Sequence, residues 1–287
     1  MQQLDLLILG AGWTSTFLIP LCQSRNISFA ATTRDGRKVA GASTTPWSFN
    51  PDESATAEKN QFSQLPLAKN ILITFPLTGK GQSKTVVEGY RRAQGNKADT
   101  ARFVQFGSSG IWQIPQQTIW VSRRSPYNTE SPRAIAEDEL LGLGGAVLNL
   151  AGLWGGERQP KNWVGRVAKS KDDVKSKKSL HMVHGQDVAR AVLAALKDWD
   201  KAKGQRWMVT DGFVYDWWAL MAGWADVKAE SEGVKDEEPS DQARWVLELM
   251  NEERVWALPR SMEALGRCYF GREFWDHFGL VPLKARI

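Results

Sequence analysis

The feature that most constrains this chain lies at its start. A short apolar run, Leu6–Leu9, leads into Gly10-Ala11-Gly12-Trp13-Thr14-Ser15, and a helical pattern follows over Thr14–Ser24. The spacing is GxGxxG with serine in the third place. The first glycine permits a tight turn, the second lets the backbone approach a pyrophosphate, and the third place needs a small residue where helix packs on strand. Free N–H groups and the helix dipole at that turn attract phosphate. The strand before and the helix after are the context that such a motif requires. The reading is dinucleotide binding; the alternative is a glycine-bearing turn in a sheet that has lost its ligand.

The end of the second strand bears on which dinucleotide. An NAD site places Asp or Glu about 20 residues past the glycines, on the ribose 2′-hydroxyl. Here the chain has Thr32-Thr33-Arg34. No carboxylate there repels a 2′-phosphate, and Arg34 can pair with one, while Asp35 points elsewhere if Arg34 faces the ligand. NADP is favoured over NAD. The alternative is that Arg34 is a solvated loop arginine.

Strand-like runs alternate with helical patterns along the chain. Strands are expected at Leu6–Leu9, Ile27–Thr33, Asn70–Phe75, Arg102–Phe106, Ala146–Leu150, Leu180–Val183 and Gln205–Thr210. Helices are expected at Thr14–Ser24, Lys84–Ala93, Pro132–Leu141 and Asp187–Trp199, the last with Asp187 as its N-cap. This alternation predicts an α/β fold, a doubly wound parallel (Rossmann) sheet covered on both faces. A smaller C-terminal substrate lobe completes it. Residues 1–155 and 180–210 form the expected nucleotide-binding core, and 156–179 and 211–287 the lobe. At 287 residues the chain is long enough to bury about three-quarters of its unfolded surface without staples.

Composition narrows the function. Two cysteines, Cys22 and Cys268, make no CxxC motif or disulfide framework, and three histidines leave little room for zinc. A net charge of +5 is mild and spread out, so nucleic acid is not expected. No signal-peptide pattern opens the chain and no run of about 18 apolar residues occurs, so a soluble cytoplasmic protein without membrane contact is expected. Residues 157–179 are rich in lysine and arginine, and 228–240 are acidic through Glu230, Glu232, Asp236, Glu237 and Glu238. Both read as solvated, mobile surface, although the basic one could flank an anionic substrate. Of 14 tryptophans, Trp217, Trp218 and Trp224 cluster late in the chain near Phe213, Tyr215, Trp245 and Trp256. They either line an apolar pocket or fill an ordinary core, and the core is the favoured reading.

Four segments together resemble the short-chain dehydrogenase/reductase superfamily, in its extended and atypical branches. Gly10–Ser15 resembles the glycine motif. Phe106–Trp112 resembles the strand-five segment SSxSVYG. Leu148–Gly155 resembles the LRxxxxYG strand six, and His181–Ala189 the xxVHVDDVA segment before a long helix. Gly12-Trp13 and Leu150–Arg158 are similar to an atypical subgroup with a GxGWxG start and an LAGLYGPGR-like strand six. The likeness spans roughly residues 4–200.

The resemblance implies a catalytic Tyr with Lys four residues later, and this pair is missing. The residues four after Tyr90, Tyr127, Tyr215 and Tyr269 are Gln94, Ser131, Ala219 and Glu273. Laid on the family helix, Glu130 falls at the tyrosine place and Ala134 at the lysine place. Without the pair, no cation stabilises a tyrosinate near neutral pH. Ser108 matches the family serine that bonds a substrate oxygen. Tyr127 is the candidate to supply a hydroxyl, and Arg133 the candidate to supply charge; for both, loop or surface packing is the alternative. Gly107-Ser108-Ser109-Gly110 is not a GxSxG elbow. His181 and His184 fall on opposite faces of an extended segment, and His277 has no evident partner.

The ligand crevice of such a sheet lies outside the carboxyl ends of its strands. The expected cofactor site therefore gathers Gly10, Gly12, Trp13, Thr14, Ser15, Thr33, Arg34, Phe75, Pro76, Ser108, Ala151 and Leu153, with Ser108 and Tyr127 as catalytic candidates and no metal. Tyr215–Trp218 would close over the substrate. Three readings follow: an NADP-dependent reductase or redox-neutral enzyme acting on a small molecule with altered acid/base groups; a catalytically silent dinucleotide sensor or regulator; and a non-redox enzyme using the pocket. A homodimer is left open.

Overall fold

The first strand explains the architecture. From Leu6 to Leu9 every side chain is buried. Strand side chains alternate sides, so Leu6 and Ile8 enter one apolar cluster while Leu7 and Leu9 enter another. A strand of this kind has to be covered on both faces.

A computed structural model describes residues 3–53, 60–115, 118–226 and 239–287. The main sheet takes β1 (Leu4–Leu9), β2 (Phe29–Thr33), β3 (Thr45–Pro46), β4 (Ala68–Ile73), β5 (Arg102–Ser108), β7 (Ala146–Leu150) and β11 (Arg206–Val209). The short strands are β6 (Trp120–Val121), β8 (Gly152–Trp154), β9 (Ser179–Leu180), β10 (Met182–His184), β12 (Tyr215–Asp216) and β13 (Cys268–Tyr269). The main sheet runs β11-β7-β5-β4-β1-β2-β3, with every neighbouring pair parallel. This is the doubly wound α/β sheet expected from the sequence.

Helices cover both faces. Leu18, Ile19 and Cys22 of α1 (Ser15–Ser24) share one cluster with Val188 and Val192 of the Gly185–Lys197 helix. Val86, Val87 and Tyr90 of α2 (Gln82–Gln94) share the other with Ala136 and Leu140 of α3 (Pro132–Gly142). Full burial of one such Leu, Ile or Val is worth about 1.5–3 kcal/mol, so the two layers hold the sheet collectively.

Strand order places the ligand crevice. The chain runs outward from β1 to β2 and β3, then returns to add β4, β5, β7 and β11 on the other side. The order therefore reverses between β1 and β4, and the crevice opens at their carboxyl ends.

Three local expectations are corrected. Asp187 is not the N-cap of its helix. The helix begins at Gly185 because the His184 Nδ1 accepts the Gln186 N–H at 3.1 Å, which puts Asp187 inside the first turn, fully buried. The Leu180–Val183 strand is two strands: β9 pairs with β12, β10 pairs with β8, and His181 lies between them. The basic stretch 157–179 keeps Arg158, Arg166, Lys169, Lys175 and Lys178 exposed, as expected, but it is folded. It holds the Lys171–Ser176 helix, closed by a reciprocal Ser170–Asp173 capping box, and buries Val164, Ala168 and Val174. The acidic residues Glu230, Glu232, Asp236, Glu237 and Glu238 lie outside the described residues.

Those buried positions belong to a third cluster with Trp217, Trp218, Met221, Val246 and Leu249. The late tryptophans thus build a core. Trp218 donates its indole N–H to the Val174 carbonyl, while Trp256 stands 92% exposed. A fourth cluster joins Ile111, Trp112, Val121, Ala134, Met208 and Tyr269.

Candidate functional site

At the carboxyl ends of β1 and β4 the chain leaves a cavity of about 520 Å³. Gly10, Ala11 and Gly12 form one wall, Thr33, Arg34 and Arg37 a second, and Phe75 and Pro76 a third. Trp47, Phe49 and Pro51 add apolar surface. The volume falls within the 300–1,000 Å³ usual for small-molecule sites.

The glycine turn is shaped by its neighbours. Gly10 has φ +82°, and a Cβ there would meet Phe75 Cδ1 at 2.8 Å. Its N–H donates to Thr32 Oγ1 at 3.0 Å, and its carbonyl accepts a hydrogen bond from Thr74 Oγ1. Gly10 is therefore required by the protein itself. Gly12 differs: a Cβ there would meet only the Gly10 carbonyl, at 3.8 Å. Its missing side chain leaves open space. No side chain caps α1 and its first turn holds no acidic residue; the Ser15, Thr16 and Phe17 N–H groups close onto the Gly12, Trp13 and Thr14 carbonyls. Ser15 is fully buried at the third motif position, where its small side chain meets the packing demand, although its hydroxyl has no partner.

The second wall carries the charge. Thr33 Oγ1 lies 2.7 Å from Thr44 Oγ1, which in turn donates to the Arg37 carbonyl, and this fixes the turn after β2. Arg34 lines the cavity and has no ion pair among the described residues. Asp35 is held by Arg37 at 2.9 Å and is not on the cavity wall. The acid on this turn thus faces a cation beside it, and two arginines border the cavity.

Trp13 and Thr14 follow the glycines without lining this cavity. Trp13 packs edge-on against Phe17 at 5.0 Å, and the Arg158 guanidinium lies 4.6 Å above the Trp13 ring. Phe17 continues to His184 at 5.2 Å and His184 to Trp154 at 4.7 Å. This aromatic run ties the glycine turn to β8 and β10. Burial holds the His184 imidazole below its usual pKa.

Ser108 ends β5, Ala151 follows β7 and Leu153 lies in β8; none of the three is on the cavity wall. Ser108 Oγ accepts the Gly110 N–H at 3.1 Å and so caps the short helical turn Ser109–Trp112. Tyr127 is packed against Trp112. Its hydroxyl donates to the Asp138 carboxylate at 2.9 Å, and Arg206 lies 4.4 Å over its ring. Glu130 is exposed and Ala134 is buried in the fourth cluster, so neither presents an acid or base there. Arg133 donates to the Phe106 carbonyl at 2.9 Å. Trp218 is buried in the third cluster and Tyr215 is bonded to Asp211, and neither lines this cavity.

Sequence reasoning missed the polar centre beneath Ser108. Glu137, fully buried, accepts from the Ser108 N–H at 3.2 Å and from Asn149 Nδ2 at 2.8 Å. Arg206 Nη2 lies 3.3 Å from the same carboxylate. Burial raises the Glu137 pKa, against the lowering effect of Asn149, Arg206, Ser108 and Arg133. The available signal was a glutamate at a core position of α3.

No model of a known protein family matches the chain. Protein EXORDIUM of Arabidopsis thaliana is 32% identical over 92 residues, so the chain spans only 29% of that protein's length. Likeness to solved structures extends over nearly the whole chain. A short-chain dehydrogenase/reductase superfamily protein from Agrobacterium tumefaciens, with bound NAD, superposes with a TM-score of 0.62 at 12% identity, covering 98% of this chain and 93% of that one. RMD from Pseudomonas aeruginosa, complexed with NADPH, gives 0.58 at 12% identity over 98% and 94%. Vestitone reductase from alfalfa gives 0.56 at 15% identity over 92% and 96%. The chain has the Rossmann-like α/β fold of these proteins. Within that fold its glycine turn is intact, while tyrosine and lysine are absent from the first turns of α3. No helix among the described residues is long and apolar enough to cross a membrane.

Proposed function

We propose that the chain binds NADP(H) and acts in the cytoplasm as a reductase or redox-neutral enzyme on a small organic molecule, without the usual Tyr–Lys pair. The observation that carries the cofactor reading is the pairing at the end of β2. Arg34 and Arg37 border the cavity while Asp35 is held by Arg37, so a 2′-phosphate meets cations and no free carboxylate. The bound NAD and NADPH of the similar structures support a nicotinamide dinucleotide. The two cysteines, free and buried, suit a reducing compartment. When bound, the dinucleotide supplies hydride chemistry. The backbone at Gly12 and the turn that leads into α1 would hold its pyrophosphate, and Arg34 its 2′-phosphate. Ser108 would orient a substrate oxygen.

A second reading, a silent dinucleotide sensor, is favoured by Tyr127. Its hydroxyl is already committed to Asp138, so no phenol is free to donate a proton to substrate. Calorimetric titration with NADPH and NADH tests the shared part of both readings. Saturable NADPH binding, tighter than NADH, is the expected result. Binding of neither dinucleotide overturns both readings. NADPH oxidation in a panel of carbonyl compounds then separates enzyme from sensor.

A further inference from the structure

A second cavity, of about 470 Å³, lies apart from the nucleotide site. Gln113, Lys177, Lys178, Trp217 and Arg267 line it, and no acidic residue among the described residues does. Three cations therefore share one concavity with no acid on its wall, although the Asp173 carboxylate acts on Lys177 from outside it. Such an arrangement is unfavourable until an anion enters.

The backbone that carries these cations is fixed. The Lys177 carbonyl accepts from Arg260 Nη2 at 2.8 Å, and Arg260 is itself locked in a buried ion pair with Asp216 at 2.7 Å. The Lys178 carbonyl accepts the Trp217 N–H at 3.2 Å. The Arg267 carbonyl accepts from Ser179 Oγ at 2.6 Å, and the β13–β6 pairing begins at the next residue. With all three carbonyls anchored, each cationic side chain starts from a defined point. The Arg267 guanidinium lies 5.7 Å from the Tyr269 ring, and its buried Nε has no acceptor among the described residues, an unmet donor of the kind that a bound oxyanion satisfies.

The position of the cavity gives it meaning. Gln113 ends the short turn that Ser108 caps. Tyr269, two residues after Arg267, donates its hydroxyl to the Ser109 carbonyl at 2.8 Å. The basic wall thus borders the segment that begins at the catalytic candidate Ser108.

We propose that Lys177, Lys178 and Arg267 form an anion site that takes the carboxylate or phosphate of a small acidic substrate. Assignment of the ligand as substrate rests on the enzyme reading above; anion binding does not. The test is a titration of the full chain with inorganic phosphate, with and without saturating NADPH. It is followed by calorimetry and by the indole N–H resonances, among which Trp217 lies on the cavity wall. Saturable binding at one site with NADPH present is expected. It should weaken at least tenfold in Arg267→Gln and in Lys178→Glu, and persist in Arg34→Ala. Lys178 is exposed, so its variant preserves the fold, which circular dichroism and the melting temperature check. Absence of saturable binding, or equal binding by wild type and both cavity variants, overturns the site. Loss of NADPH binding with phosphate binding intact refutes only the cofactor reading.

Discussion

Asn149 Nδ2 donates to the buried Glu137 carboxylate at 2.8 Å, joining β7 to α3 directly beneath the Ser108 backbone. The space around this contact is full. A Cβ on Gly107 would lie 2.5 Å from Asn149 Nδ2 and 2.6 Å from Glu137 Oε1. Removing the carboxylate leaves the Arg206 guanidinium, itself 8% exposed, with only the half-exposed Asp138 as counter-charge. Breaking a buried ion pair from one side costs about 3–5 kcal/mol. Glu137→Ala is expected to destabilise the fold by that order in urea-unfolding experiments, far more than Glu130→Ala on the exposed turn. Equal effects of the two changes would mean that Glu137 is solvated.

Asp187 accepts the backbone N–H of Leu283 at 2.9 Å and of Lys284 at 2.8 Å, while Arg190 bonds both Asp187 and the Val281 carbonyl. Together they strap the C-terminal tail onto the Gly185–Lys197 helix. Asp187→Ala removes the acceptor of two N–H groups and the partner of Arg190. The tail beyond Leu280 is expected to become the first site of carboxypeptidase trimming and of fast amide exchange. Unchanged exchange at Leu283 and Lys284 would refute the strap.

The sheet was legible because it depends on local pattern. Buried parallel strands read as apolar runs, and Ala146–Leu150 is a strand between the expected residues. The glycine turn was legible because Gly10 must adopt a positive φ. Asp187 was misread because aspartate suits an N-cap, yet His184 supplies the acceptor and the distant tail claims the carboxylate. The basic stretch was misread because charge counts hide Val164, Ala168 and Val174, whose burial depends on tryptophans some 50 residues later. Gly155 and Gly185 carried an unread signal. A Cβ at Gly185 would lie 2.3 Å from the Phe17 ring, and one at Gly155 would lie 2.2 Å from His184 Nε2, so both mark the aromatic joint behind the glycine turn.

Two buried groups give the stability opposing pH dependences. His181 accepts the Tyr269 N–H through Nε2 at 2.9 Å and stacks on that ring, with Arg267 nearby; burial, helped by the Arg267 charge, lowers its pKa to about 3. The unfolded chain binds the proton first, so this stability is present above pH 6.5 and is lost as pH falls through the window toward 3. Asp211, bonded by Tyr215 and repelled by Asp187, is pushed by burial up to about 6. Its unfolded form loses the proton first, so stability is lost as pH rises from 3.8 to 6. Between pH 7 and 5 the histidine contributes a loss of about 2 kcal/mol and the aspartate a gain of about 1 kcal/mol. His181→Gln is expected to raise the stability at pH 5 relative to pH 7, and Asp211→Asn to steepen the fall. Parallel pH profiles for wild type and His181→Gln in urea melts would refute the assignment.

The two glycines of the turn should separate folding from binding. Gly10→Ala forces a Cβ into Phe75 at a positive φ, so it is expected to lower the melting temperature and dinucleotide affinity together. At Gly12→Val the added Cβ meets only the Gly10 carbonyl, at 3.8 Å. The change is expected to leave the melting temperature of the free protein unchanged and to abolish NADPH binding, because the branched side chain occupies the pyrophosphate's place. Arg34→Ala acts on the other end of the ligand. Loss of one charged hydrogen bond weakens NADPH by about 1–3 kcal/mol and leaves NADH nearly unchanged. Calorimetry on the three variants reads all of these outcomes. Unchanged affinity in Gly12→Val would remove the phosphate from this turn, and equal losses of NADPH and NADH in Arg34→Ala would remove the 2′-phosphate from Arg34.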